Sequence, residues 1–135
     1  MTTICRSDLI TRLSKLDAPD REVDAEIMSL FYVRGKRHIG AYMENDFGID
    51  EPVDSDVWID PKTDRWVSTS AHCFTASVEA AIALAERELP GWHWQVDKCG
   101  AVLRSGHALF STDHSTPAIA LCIALLRAKE ASHAD

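Results

Sequence analysis

Four potential cations surround one glycine in the run Arg34-Gly35-Lys36-Arg37-His38, directly after a segment of helical periodicity. Guanidinium groups offer paired donors to phosphate oxygens, and a glycine lets the backbone come close, so the run is a candidate phosphate site. A simpler reading is that these side chains sit favourably beyond the negative end of the preceding helix and are otherwise solvated. No Walker-type glycine loop supports nucleotide hydrolysis. Trp92-His93-Trp94 is the second candidate, with Trp58 and Trp66 elsewhere in the chain. Aromatic faces stack on nucleobases, and His93 points opposite to both neighbours on a strand. Tryptophans on strands also serve as core anchors. The candidate ligand-binding residues are therefore Arg34, Lys36, Arg37, His38, Trp92, His93 and Trp94.

Nucleophilic chemistry would need a thiolate beside a histidine base. His72-Cys73 is adjacent in sequence, and Cys99, His107 and His114 follow. Neighbours on a strand face opposite ways, which makes His72 a poor base for Cys73. A constellation with His107 or His114 would have to be assembled by the fold. Cys122 lies in an apolar helical run, where a free cysteine acts as a small hydrophobe. The four cysteines, Cys5, Cys73, Cys99 and Cys122, show neither zinc-knuckle nor thioredoxin spacing, so reduced thiols are expected. From Glu44 to Asp64 eight carboxylates stand against one lysine. Hard oxygen ligands of this kind bind calcium or magnesium, yet Asn45, Asp46 and Asp50 lack calcium-loop spacing, and the segment reads as a solvated acidic loop, most clearly over 44–56. No catalytic set, metal site or cofactor is assigned.

These residues are positioned by a recognisable series of elements. Ser7 can cap a helix through Leu16 with Leu9, Leu13 and Leu16 on one face, and Asp20 can cap a second carrying Val23, Ile27, Leu30 and Phe31. The two are expected to pack as a hairpin. Val57-Trp58-Ile59 and Arg65-Trp66-Val67 form a β-hairpin across a turn from Asp60 to Asp64 that holds Pro61. Thr75 or Ser77 starts a third helix that buries Val78, Ile82, Ala85 and Leu89 and stops at Pro90-Gly91. Trp92, Trp94 and Val96 alternate with polar residues as a strand does, and strands over 101–104 and 107–111 follow. Thr116-Pro117 opens a last helix whose body, Ile119 to Leu126, is nearly all apolar. That helix is either the central core element or one that also meets a second subunit.

Short turns between strands imply a mainly antiparallel sheet, and the amphipathic helices need a face to cover. The expected class is α+β, one domain over 1–135. The 46% hydrophobic and 26% charged composition is that of an ordinary globular chain. A net charge of -7 argues against a general role on nucleic acid, whose affinity comes mainly from basic faces. No stretch has the roughly eighteen apolar residues of a membrane span, and the start, Met1 to Arg6, has no apolar core of signal-peptide length. A cytosolic location is expected.

Five stretches together resemble the phage ABA sandwich proteins, a family of small phage and prophage proteins. They are Asp8-Leu9-Ile10-Thr11-Arg12-Leu13, Asp20-Arg21-Glu22-Val23-Asp24-Ala25-Glu26-Ile27, Phe74-Thr75-Ala76-Ser77-Val78-Glu79-Ala80-Ala81, Pro90-Gly91-Trp92-His93-Trp94 and Ser115-Thr116-Pro117-Ala118-Ile119-Ala120-Leu121-Cys122. The resemblance covers most of the chain and implies helices on both faces of a sheet, an α/β/α sandwich, and a phage or prophage origin. It carries over no catalytic residue, and the acidic segment departs from it. The expected function is that of a non-enzymatic phage or prophage accessory protein acting by binding. The expected partners are a host protein, a small phosphorylated ligand, or a second copy through the C-terminal helix. Alternatives are a sponge that holds a phosphorylated or nucleotide immune signal on Arg34, Lys36 and Arg37 with a tryptophan on the base, an enzyme using Cys73 or Cys99, and a virion component.

Overall fold

The computed structural model describes residues 5–132, with the backbone alone at Ala41 and Ser132. The first four residues, read above for a signal peptide, lie outside that range. The elements run α1 (Arg6–Ser14), α2 (Arg21–Phe31), β1 (Val33–Glu44), β2 (Asp50–Asp60), β3 (Arg65–Ser68), α3 (Val78–Glu88), β4 (His93–Asp97), β5 (Gly100–Ser105), β6 (Ala108–Asp113) and α4 (Pro117–Ser132). This is an α+β fold with antiparallel pairing throughout, as expected. Where one sheet was expected there are two, ordered β1-β2-β3 and β4-β5-β6. The chain forms two compact units: a hairpin unit, residues 28–71, and a helical unit comprising the rest. No helix among the described residues is long and apolar enough to cross a membrane.

In the helical unit α4 is the centre. It contacts β5 and β6 on one side of the sheet, while α1 and α3 pack against it. Every side chain from Ala118 to Leu126 is buried within the single chain, which accounts for the apolar girth of this helix. Pro117 occupies its first position, where the missing amide hydrogen has no intrahelical partner to lose. The strands alternate as their sequence dictates: Ala101, Leu103 and Thr112 are buried under α4, whereas Gln95, Arg104, Leu109 and Ser111 are exposed on the opposite face.

Helix starts are set by short polar side chains. Asp20 accepts from the amides of Glu22 and Val23 at 2.9 and 3.2 Å, and Ser77 accepts from the amide of Ala80 at 3.2 Å. One expected assignment changes, at α1, while of the two expected starts of α3 it is Ser77 that caps the helix. Cys5, not Ser7, precedes α1, and the Ser7 hydroxyl instead donates to Glu130 on α4 at 2.8 Å. Thr75 is buried with Asp24, whose Oδ1 accepts from both the amide and the hydroxyl of Thr75 at 2.8 Å. This carboxylate, also held by Arg21 at 2.9 Å, ties α2 to the segment before α3. Buried polar groups require such partners.

The hairpin unit is dominated by β1 and β2, which pair from Val33↔Ile59 to Glu44↔Asp50. The acidic loop expected over 44–56 is therefore the end of β1, a turn and much of β2. Its acids sit on strands because they need no burial there: residues 50–56 are exposed or half-exposed, and only Val57, Trp58 and Ile59 are buried. β3 pairs only with residues 58–60, so the distal part of the hairpin is a two-stranded ribbon. Pro52 fits because no third strand needs its missing amide hydrogen.

Candidate functional site

The cation run lies along β1, and its charges do not converge. Strand alternation places Arg34, Lys36 and His38 on one face and Arg37 on the other. The Arg34 guanidinium lies over the Trp58 ring, 4.9 Å from its centroid. Arg37 donates to Asp64 at 3.3 Å and to the Lys36 carbonyl at 3.1 Å. Lys36 stands opposite Asp56 and His38 opposite Asp54 in the strand register. Gly35 offers no opening to a phosphate, because a Cβ there would lie 2.6 Å from Cδ1 of Ile59. The glycine makes room for a core side chain.

Trp92, His93 and Trp94 belong to the helical unit and the cations to the hairpin unit, whose own tryptophans are Trp58, buried, and Trp66, 41% exposed. Trp92 precedes β4 and packs on Phe110, ring centroids 6.1 Å apart. His93 lies on the open face of the sheet, beside a depression of about 180 Å³ shared with Gln95, Val102, Arg104 and Leu109. Trp94 points towards the α4 side yet remains 41% exposed.

Among the described residues no thiol meets an imidazole in a catalytic arrangement. His114 is committed at both ring nitrogens: Nδ1 accepts from the amide of Thr116 at 2.9 Å, which leaves Nε2 to donate to the Leu16 carbonyl at 3.0 Å. It links the start of α4 to the end of α1. His72 packs edge-on against Phe74, and burial holds its pKa below the ordinary histidine value. Cys73 is exposed with Arg21 Nη1 3.2 Å from its sulfur, while Cys122 is buried, its thiol pKa pushed up by burial and by nearby Asp24. Among the described residues no group of three or more histidine, cysteine, aspartate or glutamate side chains could hold a metal ion.

The feature that sequence reading missed is the tip of the hairpin. Tyr42, Met43, Phe47 and Ile49 are 63, 67, 86 and 61% exposed. Their turn is built by Asn45. Its Oδ1 accepts from the amides of Phe47 and Ile49 at 2.9 and 3.0 Å, and its Nδ2 donates to Glu51 at 2.8 Å. Gly48 completes the turn at φ 75°, a conformation that disfavours other residues. Six carboxylates and no cation fall between Glu44 and Asp56. The tip thus presents large apolar side chains in a fixed turn inside a negative field. Strings of acids masked this, although Tyr42-Met43 and Phe47-Gly48-Ile49 were visible in the sequence.

Comparison of the chain with protein families, with curated proteins and with solved structures finds no match in any of the three.

Proposed function

We propose that this is a non-enzymatic phage or prophage accessory protein that works in the host cytosol by docking the tip of its β1–β2 hairpin on a partner protein. The partner surface is basic and has an apolar recess. One observation carries the reading: four large apolar side chains, Tyr42, Met43, Phe47 and Ile49, stand in solvent on a ribbon whose only charges from Glu44 to Asp56 are negative. Exposed apolar clusters rimmed by polar residues mark interaction sites, and the acids favour encounter with a basic partner while rejecting acidic ones. The phage setting rests on the five sequence stretches that resemble the ABA sandwich proteins.

The test is a photo-cross-linking amino acid placed at Phe47 and, in a parallel chain, at Ser111 on the open sheet face. Adducts formed in producing cells are identified and the partner is purified. The reading expects cross-linking at 47 well above that at 111. It also expects calorimetric affinity that falls at least tenfold with Phe47→Ser and weakens with salt. Equal labelling at both positions, or affinity unchanged by Phe47→Ser, contradicts it.

A further inference from the structure

Four apolar residues assigned by periodicity to buried faces, Val78 and Ile82 of α3 and Trp94 and Val96 of β4, remain only partly covered. All four line one open groove of about 370 Å³, whose lining is completed by Asp97, Lys98 and Pro117. The sheet ends there: β4 is an edge strand, and among the described residues no strand lies beside its outer N–H and C=O groups. β4 is short, but it contains no proline and no lysine and pairs with β5 without a bulge, so those three protections of an exposed edge are missing from it.

We propose that a second copy of this chain covers the groove, β4 pairing antiparallel with β4 of that copy about a two-fold axis at Gln95. The strand His93-Trp94-Gln95-Val96-Asp97 is self-complementary in this register. His93 stands opposite Asp97 of the second copy, at both ends of the pairing, and Gln95 stands opposite itself. Trp94 stands opposite Val96 on the face towards α4, where each copy's tryptophan extends the apolar cover over the other's groove. The Asp97 carboxylate is held ready at the strand end, since its Oδ1 accepts from the amides of Cys99 and Gly100 at 2.8 and 3.1 Å. A two-fold interface of this kind uses the same patch on both subunits and joins the two three-stranded sheets into one of six. It leaves the buried C-terminal helix within each copy.

The test uses the full chain with Cys5, Cys73 and Cys99 changed to serine and Gln95→Cys added. A residue opposite its own copy brings the two Cα atoms to about 4.5–5.5 Å, within disulfide range. Mild oxidation at micromolar concentration is expected to link most of the protein as a reducible dimer. A parallel His93→Cys chain stays unlinked, because its two copies are offset by roughly 13 Å along the strands. In sedimentation the unmodified chain is dimeric, and His93→Glu, which opposes Asp97 with like charge, weakens the dimer at least tenfold with the thermal midpoint of the monomer unchanged. A monomer at every concentration overturns the proposal. So does a dimer whose position 95 links no faster than position 93, or a groove that takes only an added extended peptide.

Discussion

In the helical unit, α4 hides an unbroken run of nine side chains from Ala118 to Leu126, while in the hairpin unit Tyr42, Met43, Phe47 and Ile49 stand largely in water. The two regions use apolar residues for different ends. The first run is buried by α1, α3 and the β4-β5-β6 sheet, and its contribution is stability. The second group lies on a ribbon with no third strand among the described residues, its shape held by the Asn45 side chain and a left-handed Gly48. An isolated two-stranded ribbon is marginal in water, so local turn chemistry must define the tip. The difference teaches that hydrophobicity alone does not locate the core: an apolar residue set among carboxylates on a ribbon is displayed.

The largest effect should come from the middle of α4. Leu121→Ala removes a fully buried side chain and is expected to lower unfolding free energy by about 3 kcal/mol in urea titration. A loss under about 1 kcal/mol would mean that the helix is not the centre of the unit. Gly100→Ala comes next: its new methyl would lie 2.1 Å from the Thr112 carbonyl oxygen, where β5 and β6 pair closely. Overpacking there is expected to cost about 2 kcal/mol, read by the same titration.

At the tip, Gly48→Ala forces a side chain into a left-handed backbone and is expected to cost about 1 kcal/mol. Faster amide exchange should be confined to residues 42–52, with α4 unaffected; slowing or spreading into α4 would erase the distinction between the regions. The smallest effect on stability belongs to Phe47→Ala, expected within about 0.5 kcal/mol of the native chain despite loss of an aromatic ring. A large destabilisation would show that Phe47 is packed rather than presented.

The helical unit was largely legible because its signals are local. Asp20 and Ser77 announce helix starts, Pro117 fits a first helical turn, and the two-residue period of β4 and β5 sets their faces. Val57-Trp58-Ile59 against Arg65-Trp66-Val67 was legible for the same reason. The division into two sheets was not, because pairing partners depend on register between distant segments. The acidic segment misled since carboxylates are compatible with both a loop and an exposed strand. Ser7 looked like a cap by type, yet its hydroxyl serves Glu130, a partner 123 residues away. The positive charge of the Arg34–His38 run was legible, but not the facing of its side chains, which only the β1–β2 register decides. Val78, Ile82, Trp94 and Val96 were assigned to buried faces, and their partial exposure marks where the single chain runs out of cover.

The contrast between a buried scaffold and a displayed tip is tested most directly by native-state amide exchange, resolved residue by residue on the full chain. The α4 and β5 amides should exchange only through global unfolding, with slopes in denaturant matching the urea titration, while residues 42–52 open locally at far lower free energy. Exchange of residues 42–52 through the same global opening as α4 would place the ribbon in the core and contradict the account.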